Sequence, residues 1–442
     1  MASGKVFIIH HGTENYPAIS SDIATPILGG SEKDIGDFGK RISQRETSGK
    51  TYCEKHETWS EFTVYAWIYL NISWEETLDY IGIFHYRSFL YLKDGTGEGD
   101  FLQRMGITEK CIKEQLQDCD AIITNVDDED FYKHWNNTTI YKQFDSCHSL
   151  ARDLFDSAYS SLEGLEKVND FYSGITNFAK DYFEKPKHRP YFKSVFVSKQ
   201  DYFERYMNFM LNMLIWTEQD VQDKIQKLPA EKRYRLLAFF GERLTALFIA
   251  FTAKKKEYFK IKEVKRYHEE NLQKFLKDVY PYKTINGIKA IPLIRLYCDS
   301  RRSHTYIPVD NTNGKNLPTF DNLTKQKFWV DGLCGYLLAT QDKNTLPVYM
   351  LQEPIGGDYF YTNDKNEYEQ AKQISKYTND FGCIGYILTQ QTQGSRPLLR
   401  YLVNTNELTR HFYTTDPNEY KNFENLFNTK CVSEGNIGYI IM

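Results

Sequence analysis

The chain has 442 residues, 41% of them hydrophobic and 26% charged, with a formal net charge of −4. That length exceeds one ordinary domain of ~100–200 residues and is enough to bury substantial cores. The slight negative charge excludes the Lys/Arg excess by which a protein neutralises nucleic-acid phosphates, so no nucleic-acid partner is expected.

Aromatic residues are abundant, with 33 Tyr and 29 Phe; they suit stacking on sugars and bases, and equally the filling of cores. The eight cysteines, at 53, 111, 119, 147, 298, 334, 383 and 431, form no Cys-x-x-Cys pair. Scattered in this way they fit reduced thiols in a cytoplasm better than a disulfide scaffold. The N-terminal apolar run is too short for a secretory segment. The most apolar later stretch, 236–251, is interrupted by Glu242 and Arg243, which argues against a membrane span. A cytoplasmic protein is expected, with at most peripheral contact at the inner membrane surface.

Residues 4–126 alternate between short apolar runs and helical spacing. "KVFIIHHG" predicts a strand entering a His-His-Gly loop, "SEFTVYAWIYLNI" (60–72) a helix, and "DYIGIFHYR" a second strand. "ITEKCIKEQLQDC" (107–119), apolar at Ile107, Cys111, Ile112 and Leu116, predicts a helix, and "DAIITNV" (120–126) another strand. This alternation predicts an α/β domain with a largely parallel sheet. Ligands of open α/β sheets sit beyond the carboxyl ends of the strands. One rim then carries His10 and His11, His85-Tyr86-Arg87, and Asn125 followed by the acidic run 127–130.

Residues 141–284 read as mainly helical, and the Lys-rich stretch 253–280 as a solvated helix face or a weak contact with anionic lipid. From about 285 a repeat takes over. Gly-Tyr pairs recur at 335–336, 385–386 and 438–439, and prolines at 292, 347 and 397. Several positions recurring in order at roughly 50-residue spacing mark three structural units. Each is strand-rich with one short helical insert, which predicts a pseudo-threefold, β-trefoil-like module over 285–442.

At the strand rim, His85 and Arg87 would both donate to an anion, and alternation in an extended strand would put them on one face. The plain alternative is a strand exit in solvent. Asp128 and Asp130 would likewise share a face and could clamp a divalent metal, Mn or Mg, or form a solvated acidic loop. His10 and His11 could line a nucleotide pocket or be polar surface. Glu242, charged within an apolar helix, is a candidate general base for an acceptor hydroxyl, or half of a structural pair with Arg243.

These segments, in this order, resemble the DUF4422 family over about residues 5–270. "FIIHHG" matches a strand that ends in His-Lys, with His11 replacing the Lys. Glu61-Phe62-Thr63, Trp67 and Asn71 match a Glu-Leu-Thr helix, and "DYIGIFHYRS" matches a His-Tyr-Arg-Arg block with Ser88 replacing the last Arg. "CDAIITN" matches the family's next strand. His148 lies where relatives carry a His before a helix, Ser194 replaces an Asn, and "YRLLAFFGERL" covers Glu242 and Arg243. The resemblance implies a GT-A-like α/β fold with a helical extension over 1–284 (α/β 1–140, mainly helical 141–284).

It also implies a glycosyltransferase of bacterial capsule or exopolysaccharide synthesis. Such an enzyme moves a sugar, galactose or galactofuranose by analogy, from a UDP-linked donor to a glycan acceptor. On that reading His10, His11, Tyr86, Asn125, His148, Ser194 and Arg243 border the donor, while His85, Arg87 and Glu242 carry the chemistry. The C-terminal units resemble DUF5648 repeats ("HFYTTDPNEY", "DYFYTNDKNEY" and "HTYIPVDNTN"), which implies a carbohydrate ligand there. A non-catalytic glycan-binding protein with a degenerate transferase domain is the alternative.

Overall fold

The computed structural model describes all residues except 1–3, 13, 32–41, 74, 126–138, 186–193, 299, 311–312, 355–356, 375, 405–408 and 428. The chain divides into two compact units, one of residues 1–14 and 19–268, the other of 15–18 and 269–442. The division falls ahead of residue 285 because the helix Leu272–Val279 packs with the second unit. There Phe275 meets Tyr16 edge-on at 4.9 Å, and Gln273 donates to the Val309 carbonyl at 2.7 Å.

The first unit is built on strands β1 (Lys5–His10), β2 (Ala24–Leu28), β3 (Gln44–Arg45), β4 (Ile81–His85), β5 (Ser88–Leu90), β6 (Ala121–Thr124), β7 (Phe196–Ser198), β8 (Ile261–Val264) and β9 (Arg266–His268). They form one sheet in the order β3-β2-β1-β4-β7-β6-β8, with β5 pairing β4 and β9. All neighbours along the main path are parallel except β7, which runs against both β4 and β6. The carboxyl ends of β1, β4, β6 and β8 therefore share a rim with the amino end of β7. Ile9 pairs with His85 in the β1–β4 ladder, so His10, His11 and His85 emerge side by side.

Three expectations change. The strand through "IGIFHYR" stops at His85, which pairs with Ser88 across a tight turn made by Tyr86 and Arg87. His85 and Arg87 therefore do not alternate along one extended face. The "mainly helical" segment also supplies β7, β8 and β9 to the sheet. The three-residue apolar run of β7 is too short for its period to be read from sequence. Finally, the Lys-rich stretch 253–280 is not one helix: it contains β8 and β9 and then the helix Leu272–Val279. Lys262 and Glu263 suit β8, the last strand of the main path, because charged side chains discourage further pairing at an edge.

Helices Glu61–Ile68, Ala151–Val168, Ile175–Glu184, Gln200–Gln226 and Leu236–Lys254 pack with the sheet in a single apolar core that runs from Phe7 and Ile83 to Phe240 and Phe248. Residues 230–254 are long and apolar enough to cross a membrane, but 78% of that apolar window is buried inside the protein. Packing accounts for its hydrophobicity. All eight cysteines are free thiols.

The second unit repeats one pattern three times. Each copy has a long strand, a short strand, a helix and a long strand. These are β11 (Ile288–Cys298), β12 (Ser303–Pro308) and β13 (Trp329–Leu338), then β14 (Thr345–Gln352), β15 (Tyr359–Thr362) and β16 (Asn379–Leu388), then β17 (Ser395–Asn404), β18 (Thr409–Thr414) and β19 (Lys430–Ile441). A further strand, β10 (Lys283–Ile285), pairs with β11. The first strand of each copy pairs with both others, and the last strands β13, β16 and β19 pair with one another in a closed ring.

The recurring glycines sit where that ring is tightest. Gly335, Gly385 and Gly438 have φ of 152°, 156° and 135°. A Cβ at these positions would lie 2.7 Å from Ile440, 2.8 Å from Leu337 and 2.7 Å from Ile387, each in the neighbouring copy. Only glycine permits both that backbone and that approach.

Tyr306, Tyr361 and Tyr413 close a second ring. Tyr306 donates its hydroxyl to the Tyr413 carbonyl (2.5 Å), Tyr413 to that of Tyr361 (3.0 Å), and Tyr361 to that of Tyr306 (3.1 Å). Each hydroxyl also accepts the backbone N–H of the residue whose carbonyl it binds, at 2.7–3.1 Å. The aromatic residues of the "HTY", "YFY" and "HFY" copies are thus core.

Around this ring Arg295 pairs with Asp331 (2.7 Å) and Arg400 with Glu434 (3.0 Å), with His304 and His411 beside those acids. By register the middle copy places Met350, Phe381 and Tyr359 at the same positions. The polar cluster is lost there as a set, which avoids leaving a buried charge without its partner. Replacing Tyr361→Phe orphans the N–H and carbonyl of Tyr306. It should destabilise the chain by about 1–3 kcal/mol for each group left unsatisfied, read from urea unfolding; unchanged stability would show that the ring is not what holds the three copies.

Candidate active site

The rim of the first unit gathers titratable side chains from segments far apart in sequence. At its centre is Glu61, the first residue of helix Glu61–Ile68 and 2% exposed. Arg235, just ahead of helix Leu236–Lys254, places Nη2 3.3 Å from Glu61 Oε2. Burial alone would raise the Glu61 pKa; His85, Arg235 and His11 outweigh it and bring it down to about 2. Arg235 is the permanent cation among them.

The three rim histidines are also lowered, which for them favours the neutral form. Burial, then the nearby His85, lowers His10 to about 3. Burial also takes His11 to about 3, with Glu61 opposing and His56, His85 and Arg235 reinforcing. His85 is lowered by burial against the pull of Glu61, with Arg235, Arg266 and Arg87 adding to the effect. The imidazoles are accordingly neutral near pH 7.

Tyr65 joins the cluster from the next turn of the Glu61 helix. Its hydroxyl donates to the Ser194 carbonyl (2.7 Å) and lies 3.1 Å from His85 Nε2. Burial and the charge of Glu61 push its pKa well above 10. The Ser194 hydroxyl itself is buried without a hydrogen-bond partner among the described residues. Tyr86 lies with its ring 5.7 Å from that of His10, and Arg87 sits over the Tyr86 ring. Ser88, which replaces the arginine of the family pattern, has its hydroxyl 3.0 Å from His268 Nδ1.

A row of stacked groups leads away from Arg235. Its guanidinium lies over Phe239, His148 stacks on Phe239 at 4.4 Å and meets Phe144 at 4.7 Å, and Arg243 lies over Phe144. Glu242 accepts from Arg243 Nη1 at 3.2 Å, and the same nitrogen donates to the Phe239 carbonyl. Glu242 also acts on Tyr65 electrostatically. His148 is lowered to about 4 by burial and the neighbouring Arg243 and Lys232.

The backbone is unusual along these segments. Ser60, Leu150 and Arg235 all have positive φ (48°, 61° and 57°), and each immediately precedes a helix that carries or adjoins site residues. Positive φ in residues other than glycine costs of order 1–3 kcal/mol each, and surrounding contacts must hold it. Arg235 is held by its N–H donating to the Glu57 carbonyl at 2.7 Å.

The structure thus brings together His10, His11, His85, Tyr86, Arg87 and Ser194, with Glu242, Arg243 and His148 in the adjoining row. Asn125 is at the same rim, where its N–H donates to the Val264 carbonyl. Asp128 and Asp130 lie outside the described residues. Among the described residues no group of three or more His, Cys, Asp or Glu is arranged to hold a metal ion. Sequence reasoning did not single out the site roles of Glu61, Tyr65 and Arg235, nor those of Glu46 and His56. Glu61 lay within a matched motif, and the signal available for it was a carboxylate opening an otherwise apolar helix.

The family model of "Domain of unknown function (DUF4422)" matches residues 5–256, more than half of the chain. The chain belongs to the DUF4422 family. A second model, "Domain of unknown function (DUF5648)", matches residues 292–440, the three-copy unit. No curated protein matches. Among solved structures, this DUF4422 protein is similar to one described as the WbbM bifunctional glycosyltransferase in its apo form. The identity is 20%, the TM-score 0.49, and the match covers 61% of this chain and 46% of that one. The chain therefore spans just under half the length of that protein.

Folding excludes a proton from His10, whereas the unfolded chain takes one up below the ordinary value of 6.5. Stability should therefore fall as pH drops from 6.5 toward 3, by up to about 1.4 kcal/mol per pH unit for this group. Urea unfolding of His10→Gln between about pH 7 and pH 5 should show a shallower slope than the parent; equal slopes would show that His10 is not excluded from protonation.

Proposed function

We propose that the first unit is a glycosyltransferase that moves a sugar from a nucleotide-diphosphate donor, UDP-linked, to the hydroxyl of a glycan acceptor. The observation that carries this reading is the concentration of donor groups at one sheet rim. His85, Arg87, Arg235 and Arg266 lie together beyond strands whose carboxyl ends are the usual ligand position of such sheets. A departing diphosphate is a concentrated anion, and fixed guanidinium and imidazole donors stabilise charge as it develops. Neutral imidazoles suit this role, because an arriving anion raises their pKa and draws protons onto them.

On this reading His10, His11, Tyr86 and Ser194 border the nucleotide and Asn125 closes the rim. Glu242, held by Arg243 beside His148, orients the acceptor. A divalent metal at Asp128 and Asp130 belongs to the same proposal. So do galactose or galactofuranose as the sugar, capsule or exopolysaccharide as the product, and a cytoplasmic site of action with peripheral membrane contact. The second unit would hold a glycan. Its "HFY"-type aromatics are core, so a sugar there would meet the edges of the copies and not those rings. The closed threefold pairing supports a trefoil-like description, in a form with three strands and a helix per copy.

Calorimetric titration of UDP and a panel of UDP-sugars tests the reading. Wild type should bind, and His85→Ala or Arg87→Ala should each weaken binding about 10–100-fold, the worth of one hydrogen bond to a charged group. No binding of any donor by wild type would overturn it.

A further inference from the structure

A second set of buried groups stands behind His11. Glu46, one residue past β3, is fully buried. Its Oε1 accepts from the Gly30 N–H and, at 2.8 Å, from the Thr63 hydroxyl. His56 Nδ1 lies 3.2 Å from the same Oε1 and 2.9 Å from Thr63 Oγ1, while its Nε2 faces His11 Nδ1 at 3.4 Å.

For a neutral His56, proton counting fixes the tautomers. The Thr63 proton is engaged by Glu46 Oε1 or by the Ser60 carbonyl at 2.8 Å, so toward His56 Thr63 is an acceptor. Both neighbours of His56 Nδ1 accept, and that nitrogen carries the hydrogen. In a neutral imidazole the other nitrogen is then a lone pair. His56 Nε2 must accept, His11 Nδ1 must donate, and His11 Nε2 is left as an acceptor on a half-buried side chain at the rim.

We propose that Glu46 and His56 are positioning residues that fix His11 as its Nδ1–H tautomer, making His11 Nε2 the proton acceptor for the attacking hydroxyl. The role of the tautomer rests on the transferase reading; the tautomer itself does not. In the step, the hydroxyl oxygen bonds to the anomeric carbon while its proton goes to His11 Nε2. The His11 Nδ1 proton passes to His56 Nε2 and the His56 Nδ1 proton to Glu46. The pair of electrons of the broken bond from the anomeric carbon leaves with the diphosphate.

Relay is favoured over storage for two reasons. His11, desolvated and close to Arg235 and His85, does not hold a positive charge well. The Glu46 carboxylate is fully buried and lies 3.2 Å from His56 Nδ1, within reach of its proton, and its Oε2 makes no hydrogen bond among the described residues. Glu242, by contrast, has its carboxylate engaged by Arg243.

Nitrogen-15 imidazole spectra of the full chain, assigned by single histidine replacements, should show His11 and His56 both protonated at Nδ1. A His11 protonated at Nε2 would overturn the proposal without any turnover measurement or Glu46 variant. In transfer assays Glu46→Gln keeps the acceptor oxygen but cannot take up a proton. It should lower kcat about 100-fold or more, with UDP affinity within about twofold of wild type; an unchanged kcat would overturn the relay. Wild type that binds UDP and transfers no sugar would end the transferase reading and the relay with it, while the spectra still decide the tautomer.

Discussion

A carboxylate buried as deeply as Glu61 is tolerable only if a cation is brought to it, because removing an unpaired charge from water costs several kcal/mol. Arg235 meets that need across 174 residues of sequence. The consequences spread through the first unit. Arg235 takes a left-handed backbone at the start of helix Leu236–Lys254, Ser60 takes a positive φ before helix Glu61–Ile68, and the two helices are tied at their amino ends. Tyr65, one turn along, then reaches both His85 and the carbonyl of Ser194. A rigid constellation follows from one unavoidable electrostatic requirement.

The same electrostatics govern the histidines. Desolvated by burial, with arginines near His11 and His85, the histidines at 10, 11 and 85 remain neutral, so their hydrogen-bonding roles are set by tautomer and not by charge. Glu46, Thr63 and His56 settle that tautomer for His11 from behind. The rim therefore combines permanent cations, which suit an anionic leaving group, with neutral imidazoles whose lone pairs can accept a proton. Two kinds of chemistry are available within one cluster because burial separates their protonation states.

In the second unit the governing constraint is closure. Three copies meeting at their last strands leave no room for a Cβ at Gly335, Gly385 or Gly438, and the ring of Tyr306, Tyr361 and Tyr413 satisfies the backbone of one residue on the short second strand of each copy. Arginine–acid–histidine clusters survive at two copies and vanish as a set at Met350, Phe381 and Tyr359. A partial loss would have left buried charge unpaired.

Local pattern in the sequence was sufficient for the strands β1, β4 and β6, the helices Glu61–Ile68 and Leu236–Lys254, and the three copies with their glycines and prolines. Those features depend on periodicity and on residues close in the chain. The placing of His10, His11 and His85 at one rim also followed, since parallel strands of an α/β sheet share an end. The turn at Tyr86–Arg87 and the insertion of β7 between β4 and β6 did not, because both depend on partners contributed by distant segments. Nor did the pairing of Glu61 with Arg235 or the line from Glu46 through His56 to His11. A side chain's charge and tautomer are set by what surrounds it after burial. Only the folded chain decides those surroundings, bringing together residues that sequence spacing holds apart.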